Sequence, residues 1–338
     1  MTELLTPISL FNENGDDSIE SQQIIGGNPT GISNMNENRF PWTNAVYRRM
    51  VANHWIPEKV SMVDDKITIK NLTEDELEAV KDTLAFLIFL DSYQVLNLPN
   101  IAGYITVPAI RNLLVIQEFQ EVIHSQSYQY MLDSLFPMMT REEIYNRWRT
   151  NPNLMKRIKL VTSVGEAFTE NPTEENFKKV MIMNFILESI YFYQGFMFFD
   201  QLASREKLVQ SDVMIDYIRT DEITHIGIFS HIIKEMFTEE DYKLLDAMVI
   251  EAGQHEIEWG VGTYGDRILG ISCDSSVEYS NYLVNHRLKM FKREMPYPEQ
   301  GLTNPYAHLE EKSRGNFFEA AAITDYDRAD SIDGWDDF

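Results

Sequence analysis

The sequence predicts an all-α fold, one bundle of long helices wrapped around a buried cluster of carboxylates and imidazoles. Three observations carry that reading. Helical periodicity dominates from about residue 72 onward, and few stretches make convincing strands. Within that region two Glu-x-x-His pairs, Glu121/His124 and Glu222/His225, each follow a lone carboxylate in an apolar run, Asp91 and Glu188. Helix-start and helix-stop signals divide the region into elements of bundle length.

Taken in chain order, residues 1–38 are rich in Asn, Gly, Ser and Thr, including Gly26-Gly27-Asn28-Pro29-Thr30-Gly31, and read as an arm or loop rather than packed core. Thr73 followed by Glu74, Asp75 and Glu76 starts the first long helix. Threonine caps the free amides there, and acidic residues suit the positive end of the helix dipole. This helix reaches about residue 98 and carries Asp91; a second, about 108–135, carries Glu121, His124 and Tyr128; a third spans about 141–168. Thr173-Glu174-Glu175 opens a fourth that runs to about 203 with Glu188 inside it, and a fifth, about 211–237, carries Glu222 and His225. Two more, near 238–265 and 275–293, end before Pro296 and Pro298 break the pattern. The expected organisation is an arm over 1–38, one helical domain over 39–308, and an acidic tail over 309–338 that is short of core residues and flexible on its own.

The spacing of the six residues carries the chemistry. Residues three apart on a helix share a face, so each Glu-x-x-His pair offers one oxygen and one imidazole to the same cavity. The lone carboxylates come 30 residues (121 minus 91) and 34 residues (222 minus 188) before their pairs, which makes two similar halves. A buried, unpaired carboxylate costs several kcal/mol or neutralises itself, so cations are the economical explanation for Asp91 and Glu188. One Glu-x-x-His on an amphipathic helix is usually a solvated pair, but two in this order define a symmetric two-metal centre. The bundle that presents such ligands from facing helices is ferritin-like.

Composition narrows the function classes. The 338 residues carry 53 acidic against 29 basic side chains, a formal net charge of −24, with no basic run of the kind that follows phosphates. Nucleic-acid and anionic-membrane binding are therefore disfavoured. Cys273 is the single cysteine, which rules out an intramolecular disulfide or dithiol chemistry within this chain and fits a reducing, cytoplasmic location. The first 17 residues lack Lys and Arg and any long apolar core, unlike a secretory signal. Residues 181–199 are the most membrane-like, yet Asn184, Glu188 and Gln194 interrupt them, and a buried core helix is the better reading.

The segment Glu121-Val122-Ile123-His124-Ser125-Gln126-Ser127-Tyr128 adds a tyrosine one turn beyond the first histidine. Together with Leu90-Asp91-Ser92, Leu187-Glu188-Ser189-Ile190-Tyr191-Phe192 and Arg219-Thr220-Asp221-Glu222-Ile223-Thr224-His225, it closely resembles the small, radical-generating subunit of class I ribonucleotide reductase. The resemblance covers roughly residues 40–338 with the ligand motifs in family order. It implies a dimetal centre that reacts with an oxygen species and oxidises Tyr128 to a stable radical, in a pocket matched by Phe192, Phe196 and Ile218. It also implies that the radical passes to the large subunit, which holds the nucleotide and the reducing cysteines. Trp55 matches the tryptophan that relays the oxidising equivalent near the metals, and Asp221 its hydrogen-bonded carboxylate, linking toward His124. Tyr326 matches the tail tyrosine that crosses the subunit interface, with Trp335 a docking anchor in a terminal peptide that binds the large subunit. A homodimer is implied on the same ground.

Carboxylates with two imidazoles suit iron or manganese, so the expected cofactor is two metal ions, iron first, with Mn/Fe or Mn/Mn as alternatives. Retention of Tyr128 favours a tyrosyl radical, because family members with the mixed centre often replace that residue. The same six ligands would also serve a hydroxylase, desaturase or other ferritin-like dimetal oxidase; Tyr128, Trp55 and the aromatic acidic tail argue for the reductase subunit. His255, in Glu251-Ala252-Gly253-Gln254-His255-Glu256, lies outside the repeated order, and His231 reads as structural.

Overall fold

The computed structural model describes residues 3–299 and 302–309. Among them the regular structure is helical, and the one β-type contact is an isolated antiparallel bridge between Leu4 and Thr173. The helices are α1 (Trp42–Ala52), the single turn α2 (Asp65–Thr68), α3 (Glu74–Ala102), α4 (Pro108–Leu135), α5 (Met138–Asn146), α6 (Pro152–Glu170), α7 (Glu174–Ile186), α8 (Tyr193–Ala203), α9 (Val209–Met236), α10 (Glu239–Thr263) and α11 (Cys273–Lys289). Residues 310–338, with Tyr326, Trp335 and the expected docking peptide, lie outside the described residues.

The helix starts follow from local chemistry. Thr73 caps α3 in a reciprocal box: its hydroxyl accepts from the Glu76 amide at 3.1 Å and the Glu76 carboxylate accepts from the Thr73 amide at 2.8 Å. Glu76 also receives Arg205 at 2.8 Å and Lys207 at 2.7 Å, which fastens the end of α8 to the start of α3. Thr238 and Ser272 build equivalent boxes for α10 and α11. By contrast, α9 follows Leu208 in the left-handed region (φ 52°) and has no cap of its own. Buried Asp65 of α2 supplies one from a distance, accepting from the Gln210 amide at 3.0 Å and from the Ser211 amide and hydroxyl at 2.7 Å each.

Four departures from the sequence expectation have physical causes. Helix α1 occupies a stretch with no expected element; its inward face is only Thr43, Val46 and Met50, too short a pattern to stand out. The third expected helix is two, because Pro152 starts α6 and Asn151 caps it, accepting from the Asn153 and Leu154 amides at 3.1 Å each. The fourth is interrupted by a π-helical turn, Leu187–Tyr191, that separates α7 from α8. Within the arm, Ile24 and Ile25 are buried against the bundle, and the Thr106 amide donates to the Ile24 carbonyl at 2.8 Å.

Helices α3 and α4, joined by residues 103–107, pack along their lengths, and α7–α8 with α9 form a second such pair. These four elements enclose the centre, α1 lies across α4 and α9, and α10 packs with α11 at the side. Residues 181–199 are buried throughout except for the half-buried Tyr193, so the end of α7, the π-helical turn and most of α8 lie in the core, with Asn184, Glu188 and Gln194 buried among apolar side chains. Helix α3 is long and apolar enough to cross a membrane, but Asp91, Gln94 and Asn97 are buried inside the bundle along it.

Because α9 carries Glu222 and His225, its remote cap bears on both stability and site. Asp65→Ala strands the amides at the start of α9 and should lower the unfolding free energy by about 2 kcal/mol. A urea midpoint equal to that of the unmodified chain would show that α9 starts without Asp65.

Candidate metal centre

Helices α3, α4 and α9 and the π-helical turn each send carboxylates or imidazoles to one point. Asp91 comes from α3, Glu121 and His124 from α4, Glu188 from the turn, and Glu222 and His225 from α9; all six side chains are inaccessible to solvent. They fall into two overlapping groups, Asp91/Glu121/His124/Glu222 and Glu121/Glu188/Glu222/His225, with the ligand atoms of each within 4.8 Å of one another. Glu121 and Glu222 belong to both, as bridging carboxylates would. On one side His124 Nδ1 lies 3.3 Å from Glu121, 3.4 Å from Glu222 and 3.8 Å from Asp91. On the other, His225 Nδ1 lies 2.5 Å from Glu222, 3.3 Å from Glu121 and 3.7 Å from Glu188.

The unpartnered atoms show what this arrangement fits. Both oxygens of Asp91, Oε2 of Glu121, Oε2 of Glu188, Oε1 of Glu222 and Nδ1 of His124 are buried without a hydrogen-bond partner. Orphaned acceptors on every carboxylate in one cavity would be costly unless cations take the place of donors. Burial raises Asp91 and Glu188 well above the ordinary carboxylate range, and the Glu121 and Glu222 charges add to the effect. Burial opposes the low value at Glu222, but the adjacent His225 and His124 outweigh it. For both histidines burial favours the neutral ring, yet the surrounding carboxylates, Glu222 foremost among the charges, raise them well above the usual range. Without metal the imidazoles thus take up positive charge, and this donor set of carboxylates and imidazoles suits two hard or borderline divalent ions.

The outer nitrogen of each histidine is engaged elsewhere. His124 Nε2 lies 3.2 Å from Asp221 Oδ2, which also accepts from the Trp55 indole at 2.8 Å. His225 Nε2 lies 3.0 Å from Gln120 Oε1, and the Gln120 amide donates to Asp221 Oδ1 at 2.9 Å. Asp221 therefore connects Trp55 directly to one histidine and, through Gln120, to the other. Such partners fix the tautomer so that Nδ1 is free for a metal. Trp55 stacks on Tyr217 with ring centroids 5.1 Å apart.

Tyr128 is fully buried on α4, and its hydroxyl has no hydrogen-bond partner. Burial, followed by the Asp91 and Glu222 charges, pushes its ionisation well above the normal phenol range. Phe192, Phe196 and Ile218 are buried in the same core, with Phe192 and Phe196 stacked at 5.5 Å. His231 and His255 lie outside both ligand groups: His231 stacks on Trp42 at 4.5 Å, and His255 Nδ1 faces the Tyr191 hydroxyl at 3.4 Å.

Sequence reasoning missed Gln94, Gln117 and Gln120, three buried amides that touch the ligands or their partners. The signal was present: Gln117 and Gln120 lie on the inward stripe of α4 with Glu121 and His124, and Gln94 is three residues beyond Asp91. Glutamine reads as a surface residue unless the stripe is already known to be buried.

A helical bundle that gathers four carboxylates and two imidazoles into overlapping groups defines the class of dimetal-carboxylate proteins. The family model described as ribonucleotide reductase, small chain, matches residues 32–305, and the chain belongs to that family. It is 40% identical over 286 residues to the ribonucleoside-diphosphate reductase subunit beta of Treponema pallidum, with 82% of each chain covered. The R2 subunit of ribonucleotide reductase from Clostridium botulinum superposes with a TM-score of 0.88 at 37% identity, covering 92% of this chain and 99% of that one. The fold is shared with dimanganese(II)-NrdF of Streptococcus sanguinis, at TM-score 0.70 and 19% identity over 82% of this chain and 98% of that one.

The overlap of the two groups makes the ligands unequal. After anaerobic loading with Mn(II) and removal of excess, Glu222→Ala should retain neither metal, whereas Asp91→Ala, which alters one group only, should retain one. Metal analysis that finds two ions on Glu222→Ala would contradict the shared-ligand geometry.

Proposed function

We propose that the six residues hold two transition-metal ions and that the chain supplies the radical for ribonucleoside-diphosphate reduction, carried out on a separate large subunit. The observation that carries this reading is Tyr128, a buried phenol with no hydrogen-bond partner, whose ionisation is pushed up by burial first and by the Asp91 charge second. When bound, the metals supply oxidising power drawn from oxygen chemistry. The chain's own part is to keep the phenol protonated and dry until it gives up one electron and its phenolic proton, with Asp91 as the nearby base. The apolar side chains of Phe192, Phe196 and Ile218 keep water and reductants from the product.

Trp55 and Asp221 provide the exit. The indole N–H donates to a carboxylate that also holds His124, so an electron taken from Trp55 need travel only through hydrogen-bonded groups to reach the centre. Tyr326 would continue the path in the tail, and the terminal peptide, with Trp335, would dock on the large subunit. The single cysteine agrees with placing the nucleotide-reducing thiols in the partner.

Iron is proposed as the resident metal, with two manganese ions or one of each as alternatives; the Streptococcus sanguinis protein of like fold was solved with dimanganese(II). A homodimer is proposed as well. Val115, Phe119 and Val122 form an exposed apolar stripe on α4 at i, i+4, i+7 spacing, and exposed Leu96 lies on the adjoining α3, a surface that a second copy would cover.

Tyr128→Phe should bind both metals yet show no tyrosyl signal by electron paramagnetic resonance and no turnover with the large subunit; full turnover would mean the oxidising equivalent is stored on the metals. Tyr326→Phe should keep the radical and lose turnover, and deletion of the last residues should abolish binding to the large subunit in a pull-down. Retained turnover or retained affinity, respectively, would remove the tail from the pathway. Phe119→Glu should shift the protein to a monomer in sedimentation velocity, and an unchanged coefficient would place the dimer contact elsewhere.

A further inference from the structure

Glu188 gathers two side-chain amides on one oxygen and leaves the other unpartnered, whereas Glu121 Oε1 accepts from Gln117 alone, at 3.2 Å. Oε1 accepts from the side-chain amide of Gln94 on α3 and from that of Gln117 on α4, the latter at 2.9 Å. Oε2 has no hydrogen-bond partner and lies 3.7 Å from His225 Nδ1, inside the ligand group.

The amides are themselves fixed. Asn97 Nδ2 donates to Gln94 Oε1 at 3.2 Å and to Asn184 Oδ1 at 3.0 Å, while Asn184 Nδ2 donates to the Val180 carbonyl at 2.7 Å. With its carbonyl taken by Asn97, Gln94 can turn only its NH₂ group toward Glu188. Gln117, Gln94, Asn97 and Asn184 are all at most 5% exposed, so none of these donors has water as an alternative. The backbone under Glu188 is held too. A π-helical turn breaks the regular ladder, and the carbonyl of Ser189 accepts from Arg287 Nε at 2.9 Å, with the guanidinium 4.8 Å over the Tyr193 ring.

Turning Glu188 to present both oxygens would break two charge-assisted hydrogen bonds, strand the buried Gln94 NH₂ group and leave Gln117 with only its longer bond to Glu121 Oε1. We propose that Gln94 and Gln117 are positioning residues that restrict Glu188 to one-oxygen coordination through Oε2 at the His225-side metal. A carboxylate bound through one oxygen occupies one coordination position instead of two and leaves the other for a reactant. The proposal rests on the metal-binding reading above.

The test is a crystal structure of the full chain loaded anaerobically with Mn(II), beside one of Gln94→Leu/Gln117→Leu, with Mn(II) affinity measured for both. The unmodified protein should bind metal through Glu188 Oε2 alone, with both amides on Oε1. In the double variant Glu188 should rotate to offer both oxygens, and affinity at the His225-side position should change about tenfold or more. Glu188 bound through Oε1 or through both oxygens in the unmodified protein overturns the proposal without recourse to the variant, so a variant that fails to fold leaves the test intact. Unchanged coordination and affinity in a folded variant overturns it as well. A protein that takes up no metal would sink the metal-binding reading and this proposal with it, an outcome distinct from metal bound in the wrong mode.

Discussion

Placing Asp91, Glu121, Glu188 and Glu222 in one solvent-free cavity is the constraint to which the rest of the molecule answers. Four ionised carboxylates carry a formal charge of −4, and two divalent cations balance it, whereas two protonated imidazoles cover half. The unpartnered oxygens on all four side chains mark where those cations belong. Four elements must arrive at one point for this to work. Distributing the acids over α3, α4, α9 and the π-helical turn means that folding the bundle and assembling the centre are a single event.

Around that centre the chain assigns each polar group a direction. Nδ1 of each histidine faces the carboxylates, and Nε2 faces Asp221 or Gln120, so one hydrogen-bonded line runs from Trp55 through Asp221 to both rings. Tyr128 is treated in the opposite way, with a fully buried hydroxyl that has no hydrogen-bond partner.

Much of this was legible in the sequence, because i, i+3 spacing survives any detail of packing: Glu121/His124 and Glu222/His225 had to share a face once their helices formed. The Thr73 start of α3 was equally readable, since capping chemistry is local. What escaped depends on tertiary context. The π-helical turn at Leu187–Tyr191 has no proline or glycine to announce it, and its freed carbonyl is satisfied by Arg287, 98 residues away. Helix α9 starts on a carboxylate 146 residues earlier in the chain, a cap that no local window contains. The three buried glutamines were visible as letters and invisible as ligand partners, because burial and not residue type gives an amide that role.

The central claim is that two cations sit side by side in one cavity, sharing Glu121 and Glu222, and it can be tested by titrating metal-free protein with Mn(II) under exclusion of oxygen while recording the electron paramagnetic resonance spectrum. Two ions sharing carboxylates are magnetically coupled. The account predicts that the six-line pattern of isolated Mn(II) gives way to a coupled-pair spectrum that saturates at two ions per chain. Saturation at one ion, or two ions that keep the uncoupled six-line pattern, would contradict it.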